Sequence, residues 1–154
     1  MSKPIEISKI KIFQDERPNR RAYIADFEEP VQYGVHGGVK VFYKAVPEEE
    51  HPSTLDHIVS AAGGWLTGTL SGALEARDIP TFPNKLQGEF EGVIEAPEKV
   101  LKITEIRCFY KLKIPKGKRE AAERALHIFE RSCPVAQTLK GCVHFTHDWE
   151  IEEE

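Results

Sequence analysis

Ser53-Thr-Leu-Asp-His-Ile-Val-Ser-Ala-Ala-Gly-Gly-Trp-Leu-Thr-Gly-Thr-Leu-Ser-Gly-Ala-Leu-Glu-Ala-Arg77 reads as one long helix, and the rest of the chain is ordered around it. Ile58, Val59, Ala62, Leu66, Leu70 and Leu74 recur at the spacing of a helix face. Ser53 or Thr54 can cap the start, with Asp56 in the first turn, where the helix dipole favours an acid. Ser60, Gly64, Gly68 and Gly72 recur every fourth residue and form a second stripe. Each glycine costs about 1 kcal/mol in a helix interior, roughly 4 kcal/mol in all with Gly63 added. Close approach of another helix or a sheet would offset that cost, so the stripe predicts short-range packing. A loose glycine-rich loop would not need the four-residue recurrence. The uncharged run Ile58–Leu74 sits at the short limit for crossing a bilayer, and its glycines, threonines and serines make it only weakly hydrophobic. It is read as a buried helix of a soluble protein.

Strands are expected on both sides of this helix. Before it, Ile5 and Ile7, then Ile10 and Ile12, alternate with polar residues. Arg17-Pro18-Asn19-Arg20 turns the chain into a second strand around Ala22 and Ile24. His36-Gly37-Gly38 reads as a turn into a third strand marked by Val39, Val41 and Tyr43. Pro47–Pro52 is a charged connector. After the helix, Leu86, Gly88, Phe90, Gly92 and Ile94 alternate with Gln87, Glu89, Glu91 and Glu95, a half-buried strand with an acidic outer face. The next strand shifts phase near Thr104-Glu105, as at a bulge, and continues through Ile106, Cys108, Tyr110, Leu112 and Ile114. A helix from about Arg119 to Arg131 is broken at Ser132-Cys133-Pro134 and restarts from Pro134 to about Leu139. Val143, Phe145, His147, Trp149 and Ile151 mark the closing strand. The fold class is therefore α+β, with antiparallel sheets around a long central helix in a single domain, residues 1–154.

Composition narrows the function. The chain has 154 residues, a net charge of -4, 40% hydrophobic and 30% charged residues. That is a soluble globular balance, without the basic surface a general nucleic-acid binder needs. No membrane association and no secretory leader are expected. The three cysteines, Cys108, Cys133 and Cys142, are a poor disulfide framework and fit a reducing cytoplasm.

Cys133 is the thiol best placed for chemistry. Proline is favoured at the first helical position, so Pro134 puts Cys133 at an N-cap, where unpaired N–H groups stabilise a thiolate. Cys108 lies on an apolar strand face, where cysteine is usually inert core. The histidines form no metal set: His144 and His147 point to opposite faces of a strand, and no cysteines have CxxC spacing. No phosphate-binding glycine loop and no nucleophile elbow occur, so neither cofactor nor metal is expected. Arg17, Arg20 and Arg21 form a small basic cluster, which a solvated turn would also explain.

Two segments carry a family resemblance. Ala61-Ala-Gly-Gly-Trp-Leu-Thr-Gly-Thr-Leu-Ser-Gly-Ala-Leu-Glu-Ala-Arg-Asp-Ile79 resembles the central helix of the OsmC/Ohr family. Arg124-Ala-Leu-His-Ile-Phe-Glu-Arg-Ser-Cys-Pro-Val-Ala-Gln-Thr-Leu139 resembles its second cysteine motif. The order of elements matches over nearly the whole chain. The resemblance implies a thiol peroxidase fold and an intertwined homodimer with its site at the subunit interface. There, a cysteine on the central helix attacks an organic hydroperoxide and a second cysteine resolves the sulfenic acid as a disulfide. Cys133 matches the resolving cysteine, Asp56 the activating acid, and Arg20 or Arg21 the activating arginine.

The peroxidatic position falls at Trp65 when counted back from the helix end, and at Gly63 when counted forward from Pro52. Neither is cysteine, and none occurs before Cys108. The resemblance thus implies a divergent member without the two-cysteine peroxidase cycle, binding an organic hydroperoxide or another small apolar or electrophilic ligand in its dimer-interface pocket. The alternative is a thiol-dependent hydroperoxide reductase or redox protein acting through Cys133 alone, with Cys108 or Cys142 as possible partners.

Overall fold

The computed structural model describes residues 2–154. Contacts divide the chain into two compact units, one ending at His57 and one beginning at Ile58.

In the first unit, β1 (Ile10–Gln14), β2 (Arg20–Ile24) and β3 (Val31–Tyr33) form an antiparallel sheet in that order. Ile5 and Ile7 alternate as strand residues do, yet lie outside β1 and are exposed. The third strand is also displaced from its expected place. Val39, Val41 and Tyr43 belong not to a strand but to a short helix and its cap, α1 (Gly37–Phe42). Lys40 N–H donates to His36 O at 3.1 Å and Tyr43 N–H to Val39 O at 3.2 Å, and Lys44 ends the turn at a positive φ of 52°. Apolar alternation specifies a strand only where one face is buried, and Val41 is 72% exposed.

The central helix, α2 (Thr54–Glu75), starts in the first unit and runs into the second. Its start is a reciprocal cap, the Ser-x-x-acid arrangement of a capping box. Ser53 N–H donates to Asp56 Oδ2 at 2.7 Å, and Asp56 N–H donates to Ser53 Oγ at 3.1 Å.

The second unit is built on β4 (Leu86–Glu95), β5 (Lys102–Ile114) and β6 (His144–Glu153). β4 and β5 are antiparallel, and the expected bulge is present. Val93 pairs with Glu105 and Ile94 with Ile103, which leaves Thr104 as the extra residue. β6 runs parallel to β5, unlike the other strand pairs. A parallel neighbour needs a crossover. Here it consists of α3 (Arg119–Ile128), a 3-10 turn (Phe129–Ser132) and α4 (Pro134–Leu139). Ala122, Ala125, Leu126 and Phe129 of the crossover are buried, as are Ile106, Cys108, Tyr110, Leu112 and Ile114 of β5.

α2 meets this sheet through matched large and small residues. A Cβ on Gly92 would touch Val59 at 2.4 Å, one on Gly63 would touch the Phe90 ring at 2.6 Å, and one on Gly88 would touch Thr67 Oγ1 at 2.7 Å. Val59, Gly63 and Thr67 lie on one helix face. They fill or receive the alternation Gly88, Phe90, Gly92 on β4. The close approach is made at Gly63, outside the expected stripe of Ser60, Gly64, Gly68 and Gly72. A Cβ on Gly64, Gly68 or Gly72 would have no described atom within 4 Å, so these three face outward, beside exposed Ile58 and Trp65.

Candidate functional site

Arg20 and Arg21 lie on β2, and neighbouring strand residues face opposite ways. Arg20 donates from Nη1 to Pro18 O at 2.5 Å. Arg21 donates from Nε to Asp15 Oδ2 at 2.8 Å and from Nη1 to Tyr23 Oη at 3.2 Å, with its guanidinium 5.3 Å from the Phe13 ring centre. It borders an open groove of about 620 Å³ that also includes Lys9, Lys11, Phe13, Tyr23 and Phe27.

Asp56 is committed to the helix start. Besides Ser53, it contacts His36, with Nε2 2.6 Å from Oδ2. Burial opposes its ionisation, but the hydrogen bonds from His36 and Ser53 outweigh that and hold the carboxyl below its usual range.

Trp65 and Gly63, the two registers for the peroxidatic position, face different ways. Trp65 is 56% exposed on the outer side of α2. Gly63 is buried, and the ring of Phe90 occupies the space where a side chain would begin.

Cys133 is fully buried, with Pro134 at the first position of α4, so the N-cap expectation holds. Its N–H donates to Glu130 O at 3.0 Å, closing the 3-10 turn, and its carbonyl accepts from Gln137 N–H at 2.9 Å. Cys108 is 3% exposed, and Cys142 lies exposed in the turn before β6; all three thiols are free.

Sequence reading missed the polar groups that share this part of the core. His147 stands beside Cys108 in the parallel ladder. Its Nδ1 lies 3.3 Å from Tyr110 Oη and its Nε2 2.9 Å from Glu130 Oε1. Burial first, and then the nearby Cys108 charge, push the Tyr110 phenol up, so it remains a donor to Nδ1. The Nε2–H of His147 then donates to Glu130. Phe129 packs edge-on against both Tyr110 and His147, at ring distances of 5.5 and 5.2 Å. Burial also pushes the Cys108 thiol up to about 12, with Glu130 and Cys133 adding to the shift. The legible signal was His147, a titratable residue in the inward alternation Phe145, His147, Trp149 of the closing strand. Glu130, in the helix-to-turn crossover, carried no such signal.

Among the described residues, no three His, Cys, Asp or Glu side chains converge as a metal set. No helix there is long and apolar enough to cross a membrane.

A family model described as OsmC-like protein matches residues 47–148. No curated protein matches the chain by sequence. Among solved structures, the chain is similar to an OsmC-like protein from Mycoplasma pneumoniae at 13% identity and a TM-score of 0.75, over 97% of this chain and 100% of that one. It is also similar to the organic hydroperoxide resistance protein OhrB of Bacillus subtilis, at 12% identity and a TM-score of 0.68, over 96% and 100% of the two chains. An organic hydroperoxide resistance protein OsmC from Legionella pneumophila gives 12% identity and a TM-score of 0.70, over 96% and 99%. At these identities the likeness is one of fold.

Proposed function

The chain belongs to the OsmC-like protein family, and from that premise we propose that it is a member without the two-cysteine peroxidase cycle. In this reading it works as a homodimer that binds a small apolar ligand at the subunit interface. One observation carries the loss of the cycle: the central helix has no thiol. A sulfenic acid requires a thiolate, and the two candidate positions hold Trp65 and Gly63. At Gly63 the Phe90 ring also fills the space a cysteine side chain would need.

Dimerisation is supported by the outer face of α2. Ile58, Trp65 and the open Gly64, Gly68 and Gly72 make an apolar, small-residue surface that a second helix could approach closely. The three free thiols fit a reducing compartment such as the cytoplasm.

The test is turnover of an organic hydroperoxide with a dithiol reductant. The expected result is a rate no greater than that of reductant alone; robust turnover at nanomolar protein would overturn the reading. A second reading, in which Cys133 alone reduces peroxide, is favoured by its place before Pro134 at the α4 N-cap. It predicts instead slow turnover that vanishes in Cys133→Ser.

A further inference from the structure

One face of the first sheet alternates cations with aromatic rings. The β1–β2 register pairs Phe13 with Arg21 and Lys11 with Tyr23. Each of these rungs sets one cation beside one ring, and successive rungs on one face are about 7 Å apart along the strand. Ala25 N–H donates to Lys9 O at 2.9 Å, so Lys9 stands in the same row, next to the turn that carries Phe27. The opposite face of β1 and β2 holds Ile12 and the buried Ala22. The cation-and-ring face borders the groove of about 620 Å³. That volume falls within the usual range of roughly 300–1,000 Å³ for small-molecule sites. Every lining residue lies in the first unit.

The three cations differ in what they have left to offer. Arg21 is committed: Nε donates to both Asp15 carboxylate oxygens, at 3.1 and 2.8 Å, and Nη1 donates to Tyr23 Oη at 3.2 Å. Its guanidinium lies 5.3 Å from the Phe13 ring centre and 6.0 Å from that of Tyr23, and the two rings meet edge-to-face at 5.9 Å. Asp15 thus neutralises Arg21, and the four side chains form one braced wall. Lys9 and Lys11 are exposed. Among the described residues, lysine ion pairs are made by Lys40, Lys85 and Lys111, and not by Lys9 or Lys11. Phe27 holds the turn end of the groove, 73% exposed. Asp26 and Glu28 flank it there, so an anion is repelled from the turn and drawn toward Lys11.

We propose that this groove binds a planar aromatic anion, its ring laid between Tyr23 and Phe27 and its carboxylate held by Lys11 with Lys9. Aromatic rings gain from burial and from ring-on-ring contact, and Phe27 offers the uncovered surface for both. A carboxylate on an ammonium group forms the stronger, charge-assisted kind of hydrogen bond. A neutral ring would leave both lysines unused, and a cationic one would be repelled by them. The site goes beyond the interface reading, because it uses no residue of α2 and needs no second subunit.

The experiment titrates the full chain, labelled with nitrogen-15, with three probes that share one ring system: 2-naphthoate, 2-naphthylmethanol and 2-naphthylmethylammonium. Amide shifts in the NMR spectrum locate the site and give the affinity. The expected result is a saturable shift for naphthoate confined to the groove, residues 9–28. The alcohol should bind about tenfold more weakly, the loss of one charge-assisted contact, and the ammonium more weakly still. Added salt should weaken naphthoate and leave the alcohol unchanged. Lys11→Gln should weaken naphthoate about tenfold without affecting the alcohol, and Phe27→Ala should weaken both. The proposal is overturned if naphthoate gives no saturable shift, if the alcohol or the ammonium binds as tightly, or if the shifts gather on α2 or elsewhere in the second unit. It is also overturned if Lys11→Gln binds naphthoate as the parent does. Both substitutions fall on exposed side chains. Should either disturb the fold, the three-probe order and the salt dependence of the unsubstituted chain decide the matter.

Discussion

Gly63 and Phe90 share one space: a Cβ on Gly63 would stand 2.6 Å from Phe90 Cδ2. The ring cannot retreat freely along β4, because it also covers Gly88, where an added Cβ would meet it at 2.6 Å. Gly63→Ala gains about 1 kcal/mol of helix propensity but overpacks a closed contact, which typically costs about 1–3 kcal/mol. The expected net effect is destabilisation by up to roughly 2 kcal/mol in urea denaturation. Combined with Phe90→Leu, the loss should be less than additive, since the two residues are in contact. A stabilising Gly63→Ala would show that the helix and β4 are not in this register.

The outer glycines should behave in the opposite way toward the folded protomer. Gly68→Ala meets no described atom within 4 Å, so helix propensity alone would stabilise a monomer by up to about 1 kcal/mol. If α2 is the dimer face, a longer side chain there separates the helices. Gly68→Leu should therefore shift sedimentation toward monomer. Trp65→Ala should weaken association by about tenfold or more, as expected for a buried interfacial tryptophan. With Trp149→Phe as background, Trp65 is the only tryptophan, and its emission should shift to the red on dilution. An emission maximum independent of concentration, with no oligomer at any concentration, would remove the dimer from the proposal.

Asp56 predicts an acid-sensitive helix start. Its folded-state carboxyl lies below the ordinary value of 3.8. A group depressed in this way stabilises the fold above its unfolded-state value and loses that contribution as pH falls through its folded-state value. The stability gap between the parent chain and Asp56→Asn should thus be full above about pH 4 and close below it. Because the carboxyl is 39% exposed, the gap should be modest, about 1 kcal/mol or less, on the scale of a helix cap. Ser53→Ala, at the buried other half of the cap, should cost about 0.5–2 kcal/mol. Denaturation of all three proteins across pH 2–7 checks both the size and the sign.

Much of this arrangement is written in local patterns. The alternation from Leu86 to Ile94, the phase shift at Thr104 and the Cys133-Pro134 break each have one dominant physical cause, and each appears where that cause puts it. α1 was not legible, because Val39, Val41 and Tyr43 alternate without a burying partner. The glycine stripe was legible as small residues but not as to which glycine meets the sheet. Gly63 and Gly64 are neighbours, and only the Gly88-Phe90-Gly92 alternation on β4 selects the first. The Tyr110–His147–Glu130 contacts were hidden because they depend on a parallel ladder and a crossover turn, both long-range features.

That polar cluster can be dissected by substitution and by thiol reactivity. Tyr110→Phe removes one buried donor and leaves His147 Nδ1 unpaired, at a cost of about 0.5–1.5 kcal/mol. His147→Leu strands the buried Tyr110 hydroxyl, which costs about 1–3 kcal/mol, and so should lower thermal stability more. Thiol labelling of the native chain should show one fast site, exposed Cys142, and two protected ones, Cys108 and Cys133. Since burial raises the Cys108 thiol to about 12, raising the pH from 7 to 9 should leave its labelling governed by opening of the core. Its rate should then track the stability of each variant, rising in the order parent, Tyr110→Phe, His147→Leu. Rapid Cys108 labelling in the folded parent protein would contradict the buried placement on which that order depends.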